Sequence, residues 1–176
     1  MSESDHAIVA GTARLVVGLY FLAMLTSVGR RARCESVTSL GLWTAACCAL
    51  LVHVVAAFEW AHDWSWVAAA AHTTQETERV VGTSTGVELP VNFVFAIWWA
   101  ADCIVRWQAR SQQRQLARSY NVLVQIVWAF LFFNATVVFG PIYWRWLAVP
   151  AIVLLILRSR TAARRSRDHS PLAPFG

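Results

Sequence analysis

Residues 37–58 read VTSLGLWTAACCALLVHVVAAF, a run of 22 residues that contains no Asp, Glu, Lys or Arg. An α-helix rises about 1.5 Å per residue, so about twenty apolar residues are needed to cross the roughly 30 Å hydrocarbon core of a bilayer. This run is therefore long enough and apolar enough to form a membrane-spanning helix.

The composition of the whole chain agrees with a membrane protein. Hydrophobic residues make up 57% of the 176 residues, and charged residues make up only 14%. A soluble domain carries about a quarter of its residues as Asp, Glu, Lys and Arg. The same values exclude a disordered, a collagen-like and a disulfide-rich chain.

Five segments have the length and composition of membrane-spanning helices. Their predicted limits are Ala7 to Gly29, Val37 to Phe58, Leu89 to Val105, Tyr120 to Phe139 and Ile142 to Leu157. Pro150 lies in the middle of the last segment, where it removes a backbone hydrogen bond. Gly140-Pro141 is a turn signal that predicts a tight helical hairpin between the fourth and fifth segments. Residues 1–158 thus form one predicted transmembrane domain, and residues 159–176 form a basic, disordered tail.

The arginines predict how the chain is oriented in the membrane. All fifteen basic residues are arginine, and twelve of them fall in three places on one side of a five-span bundle. These places follow the first span, separate the third span from the fourth, and follow the fifth span. Because short cytoplasmic loops are enriched in arginine, we expect the N-terminus outside and the C-terminus in the cytoplasm, in a plasma (inner) membrane. The absence of lysine hints at a GC-rich, bacterial source.

The basic charge does not indicate a nucleic-acid partner. The formal charge is +5, but the arginines lie in short blocks between apolar runs, and no nucleic-acid-binding pattern accompanies them. The predicted partners are instead the lipid bilayer and another membrane protein.

The predicted external loop, residues 59–88, differs in chemistry from the rest of the chain. Within it, the run Trp66 to Val81 has good helix formers and no internal Gly or Pro, and Gly82 follows it. The first half of the run is apolar and the second half is polar, which predicts a short helix on the outer membrane interface. The sequence therefore predicts an all-α integral membrane bundle of five transmembrane helices with one outer interfacial helix.

Polar side chains inside the spans are candidate functional residues, because a polar group in lipid is costly. Most of them lie toward the predicted outer side: Arg14, His53, Asn92 and Asn134, with Glu59 just beyond the second span. We expect these residues to form a polar pocket that faces the bundle interior. Structural roles are the alternative, with Asn92 and Asn134 bonding between helices and Arg14 pairing with Glu59. Asp102 lies nearer the inner side and has Arg106 four residues on, which predicts an ion pair on the helix surface.

A second candidate site is a set of metal-ligating side chains near the same end: His53, Glu59, His62, His72 and Glu76. Glu59 and His62 have the Glu-x-x-His spacing of diiron carboxylate bundles. His72 and Glu76 lie four apart and share a helix face. Such a set could bind zinc, copper or iron, or ligate haem through a histidine. It would form only if the outer segment folds back on His62; otherwise these groups are an interfacial cap and a solvated pair of Glu76 with Arg79.

The sequence leaves three functions open. The leading hypothesis is a non-catalytic membrane subunit or binding protein, whose outer pocket or surface meets a partner, a lipid or a small ligand. The second is a metal- or haem-dependent membrane enzyme that uses the His/Glu set. The third is a small transporter with Arg14, Asn92 and Asn134 along its path, although polar residues are scarce in the inner half.

Overall fold

The structure is a computed structural model, and it describes residues 2–27, 36–144, 146, 153–154 and 157. Helices follow one another along these residues: α1 Glu3–Ser27, α2 Val37–Ala61, α3 Trp66–Val81, α4 Glu88–Ser111 and α5 Arg118–Phe133, with a π-helix over Asn134–Val138. No β-strand occurs in this part of the chain. The described protein is therefore all-α.

Four helices are long enough and apolar enough to cross a membrane, namely α1, α2, α4, and α5 together with the π-helix. Each coincides with one of the first four predicted spans, although α4 continues past the predicted limit of Val105 to Ser111. The fifth predicted span, Ile142 to Leu157, lies largely outside the described residues, and the tail of residues 159–176 lies wholly outside them. The count of five spans therefore stays a prediction.

Local capping explains the limits of α3. The Ser65 hydroxyl accepts a hydrogen bond from the backbone nitrogen of Ala68 at 3.2 Å, which satisfies one free donor of the first turn. Gly82 ends the helix with φ of 84°, a left-handed conformation that glycine adopts without steric cost. The helix therefore begins and ends at the predicted residues, Trp66 and Val81.

Aromatic rings from all four apolar helices form the centre of the bundle. Tyr20 of α1, Trp43 of α2, Trp99 of α4 and Trp128 of α5 are buried, and the Trp99 and Trp128 ring centres lie 4.3 Å apart. Phe132 of α5 stacks on Tyr20 at 3.6 Å. Because lipid tails are as apolar as the helices, close packing of such rings contributes much of the association between spanning helices.

Asp102 and Arg106 are buried in the bundle, so the predicted surface location of their ion pair is wrong. Asp102 is 1% exposed and Arg106 is 4% exposed. The Arg106 Nε donates to Asp102 Oδ2 at 2.7 Å, and the Trp43 indole donates to the same oxygen at 2.8 Å. The Tyr120 hydroxyl donates to Asp102 Oδ1 at 2.6 Å. A buried carboxylate must be paired and hydrogen-bonded, and here donors from α2, α4 and α5 satisfy it.

Neighbouring helices run in opposite directions, which gives the bundle two distinct ends. Thr12 of α1 contacts His53 of α2, whereas Tyr20, further along α1, contacts Trp43. Phe93, near the start of α4, contacts both Phe58 of α2 and Trp66 of α3, and the start of α5 lies beside Asp102, further along α4. The start of α1, the end of α2, the start of α4 and the end of α5 therefore lie together with α3. We refer to this as the α3 end, and the Asp102 carboxylate lies toward the opposite end.

Candidate ligand-binding cavity

A cavity of 720 Å³ lies at the α3 end of the bundle. Its walls come from all five α-helices and from the π-helix, and most of the lining side chains are apolar or aromatic. Trp99 and Trp128 of the aromatic core close it toward the middle of the bundle. The volume is in the range of sites that hold drug-sized ligands, about 300–1,000 Å³.

Three of the five predicted pocket residues, Arg14, His53 and Asn92, line this cavity, and His62 of the predicted metal set lines it too. Of the polar residues within the spans, His53 and Asn134 are half-buried, whereas Arg14 and Asn92 are exposed, so the expectation that all of them face the bundle interior is wrong for these last two. Glu59 and Asn134 are not among its lining residues. Glu59 lies six residues after His53, which places it about 120° away around α2.

Glu59 and Asn134 instead bond to groups that lie close to them in the sequence. The Glu59 Oε2 accepts a hydrogen bond from the Trp64 indole at 2.5 Å, in the turn that follows α2. The Asn134 amide donates to the backbone carbonyl of Phe130 at 2.8 Å, one turn earlier in the same helix. Both side chains thus support local structure near the cavity.

Arg14 gives the cavity its positive charge. The Arg14 Nε donates to the Tyr143 hydroxyl at 3.2 Å, and the guanidinium carbon lies 5.9 Å from the centre of that ring. The predicted partner, Glu59, bonds to Trp64 instead. Tyrosine is neutral, and no Asp or Glu is among the described residues that line the cavity. The lining is therefore complementary to an anionic ligand group.

His53 is oriented by a hydrogen bond between α1 and α2. Its Nδ1 lies 3.0 Å from the Thr12 hydroxyl oxygen. The same hydroxyl lies 2.9 Å from the carbonyl oxygen of Val9 and 3.1 Å from that of Ile8. The Thr12 hydroxyl is therefore within hydrogen-bond distance of His53 and of the backbone of its own helix, and the contact joins α1 to α2.

The predicted fold-back of the outer segment is present and brings two histidines together. The ring centres of His62 and His72 lie 5.3 Å apart. Burial and the neighbouring His72 charge both lower the pKa of His62 below its usual value of 6.5. Glu76 forms an ion pair with Arg79 at 2.6 Å, as the solvated-pair alternative predicted, and this bond lowers the pKa of Glu76.

The five predicted metal ligands do not form one cluster. Within the described part of the chain, no three His, Cys, Asp or Glu side chains come close enough together to hold a metal ion. His53 bonds to Thr12, Glu59 bonds to Trp64, and Glu76 pairs with Arg79. Only the pair of His62 and His72 remains from the set.

Several residues that line the cavity or contact its lining were absent from the sequence-based prediction. Thr12 and Tyr143 contact predicted residues from other parts of the chain, and no spacing rule connects such pairs. Thr136 lines the cavity from the π-helix, in which the Phe139 nitrogen donates to the carbonyl oxygen of Asn134 at 2.9 Å. Asn134-Ala135-Thr136 lies in a run that otherwise has the pattern of a plain α-helix, so the extra residue in this turn has no sequence signal.

Comparison of the chain with protein-family models, with curated proteins and with solved structures finds no match in any of the three. Inference about function therefore rests on the helices and the cavity.

Proposed function

We propose that the protein is a non-catalytic integral membrane protein that binds an amphipathic molecule with an anionic head group, such as a fatty acid. The observation that carries this proposal is the Arg14 guanidinium on a largely apolar cavity whose described lining has no acidic side chain. The head group would pair with Arg14, and the chain would lie against the aromatic walls.

The outer faces of the apolar helices support a membrane location. Large apolar side chains are exposed along each of them, for example Leu22, Val55, Ile97 and Phe130. A soluble monomer rarely exposes contiguous apolar surface on this scale, whereas lipid covers it at no cost. We propose five spans in a plasma membrane, with the N-terminus and the α3 end outside and the C-terminus in the cytoplasm.

The cost of a charged group in a membrane supports the choice of an anion. An arginine within a spanning helix must be hydrated, paired or placed near the interface. Arg14 lies in α1, and its Nε donates a hydrogen bond to the neutral Tyr143 hydroxyl. A carboxylate head would supply the opposite charge, and a charge-assisted hydrogen bond contributes about 1.5–3 kcal/mol.

Quenching of tryptophan fluorescence tests the proposal, because Trp99 and Trp128 line the cavity. The purified protein in detergent micelles is titrated with a brominated fatty acid and, in parallel, with the corresponding brominated alcohol. We expect saturable quenching by the acid and binding by the alcohol that is about 10–100-fold weaker.

Two variants separate the cavity from other arginines. Arg14→Gln should weaken binding of the acid by the same factor of about 10–100. The control is Arg79→Gln, because Arg79 is exposed and does not line the cavity. The proposal is wrong if Arg14→Gln binds the acid as tightly as the wild type, or if acid and alcohol bind equally.

A further inference from the structure

We infer that His62 and His72 together bind one divalent transition-metal ion at the cavity, where the ion joins α3 to the end of α2. These two histidines are distinct from Arg14, the proposed anion-binding residue, although His62 also lines the cavity. This site goes beyond the proposed function and does not depend on the amphipathic ligand.

The spacing of the two rings matches a shared ion. Their centres are 5.3 Å apart, and their planes are inclined at 55°. Two imidazoles on one tetrahedral ion, with metal–nitrogen distances of about 2.0–2.1 Å, have ring centres roughly 5 Å apart. The distance between the ring centres is therefore compatible with binding of both rings to a single ion.

The turn between α2 and α3 reverses the chain directly after His62. The Ser65 nitrogen donates to the His62 carbonyl at 2.8 Å, and the Trp64 nitrogen donates to the Phe58 carbonyl at 2.9 Å. Asp63 and Trp64 have φ of 47° and 56°, left-handed values that reverse the chain. The Trp64 indole also donates to Glu59. This network fixes the backbone at His62 and so contributes to a preorganised site.

Contacts between aromatic rings fix α3 against the bundle. Trp66, at the start of α3, lies 5.4 Å from the ring centre of Phe93 in α4 and 6.5 Å from that of Phe58 in α2. Phe58 also meets the His62 ring edge to face at 6.1 Å. The distance from His62 to His72 is thus set by packing on both sides of the turn.

A metal ion binds a neutral imidazole through the lone pair of a ring nitrogen, so either histidine can donate one ligand.

The remaining ligands of the ion would be water. The nearest predicted carboxylates are engaged, Glu59 by Trp64 and Glu76 by Arg79. Two imidazoles favour Cu²⁺, Ni²⁺ or Zn²⁺ over Mg²⁺ or Ca²⁺. Affinity should be lower than in a structural zinc site, which has four protein ligands, and should follow the order Cu²⁺ above Ni²⁺.

The test is Cu²⁺ binding to purified, metal-free protein without an affinity tag, since a histidine tag binds the same ions. No amphipathic ligand is added, so the result does not depend on the proposed function. We expect a single Cu²⁺ per chain, with electron paramagnetic resonance showing two nitrogen ligands. Zn²⁺ should compete for the site, and Mg²⁺ should not.

Single-histidine variants decide which residues hold the ion. Removing a residue that only hydrogen-bonds to a metal ligand lowers metal affinity by about 10–100-fold. Removing a ligand itself should cost at least as much, so we expect His62→Ala and His72→Ala each to lower Cu²⁺ affinity by at least about tenfold. The control is His6→Ala, which removes an exposed histidine from the start of α1. His72 is itself exposed, so His72→Ala should fold as the wild type does. The proposal is overturned if His72→Ala binds Cu²⁺ with wild-type affinity. It is also overturned if the double variant His62→Ala/His72→Ala binds Cu²⁺ as tightly as the wild type does.

Discussion

Asp102 shows at the scale of a single residue how a charge is accommodated inside an apolar bundle. One carboxylate accepts hydrogen bonds from Trp43, Arg106 and Tyr120, which belong to three different helices. In low dielectric, such a group is costly unless its lone pairs are used and its charge is matched. The arrangement joins α2, α4 and α5 by directed bonds, in a place where packing alone would allow the helices to slide.

Asp102→Asn should destabilise the bundle, because it removes the carboxylate that pairs with Arg106 in the core. Breaking a buried ion pair by removing one partner costs about 3–5 kcal/mol. Thermal unfolding in detergent, followed by tryptophan fluorescence, measures the change. The control is Glu76→Gln, which breaks an exposed ion pair and should leave the unfolding temperature almost unchanged. Equal unfolding temperatures for the wild type and Asp102→Asn would contradict this account.

At the scale of an element, the π-helix at the end of α5 shapes one wall of the cavity. Ala135 and Thr136 both line the cavity from this turn, and the Thr136 hydroxyl donates to the Phe132 carbonyl at 2.6 Å. Gly140 follows the turn, and its Cα lies so close to the Thr136 carbonyl group that a side chain would collide with it. The turn therefore depends on glycine at this position.

Gly140→Ala should distort the π-helix, since the added methyl group meets backbone atoms that do not move freely. Overpacking of this kind costs about 1–3 kcal/mol, and we also expect weaker binding of the brominated fatty acid. The control is Gly18→Ala in α1, where a methyl group would meet no other atom within 4 Å. Alanine is favoured over glycine inside a helix by about 1 kcal/mol, so this control should be neutral or stabilising. The same change in unfolding temperature for both variants would refute the proposed role of Gly140.

At the scale of the whole molecule, the alternation of helix directions and the arginine pattern predict one orientation. The start of α1 and α3 share the α3 end, and the arginine-rich segment between α4 and α5 lies at the opposite end. We predict that the positive side lies in the cytoplasm and, on that orientation, that the cavity opens toward the outside.

Reporter fusions test this orientation in cells. Fusions after Arg114 and at the C-terminus should report a cytoplasmic location, and a fusion after Gly82 should report an external one. An external signal after Arg114 would show that the predicted orientation of the bundle is wrong. An external signal at the C-terminus alone would contradict the count of five spans.

Features that depend on neighbouring residues in the chain could be predicted from the sequence. The limits of α3 follow from Ser65 and Gly82, because capping is local. The four apolar helices follow from the length of each hydrophobic run. The depth of Arg14, His53, Asn92 and Asn134 in their spans predicts that they share one level of the bundle; the first three line the cavity, and Asn134 does not.

Only the tertiary structure decided which side chains meet, because rotation and crossing of the helices are not encoded in the spacing along any one of them. It directs Glu59 away from Arg14 and places Tyr143 there instead. It buries the carboxylate of Asp102, which the spacing alone had placed on the helix surface. The contact between His62 and His72 likewise depends on the reversal of the chain after α2 and on the packing of α3 against its neighbours. Whether two side chains can bind the same ion depends on their distance in space, which their spacing in the sequence does not give.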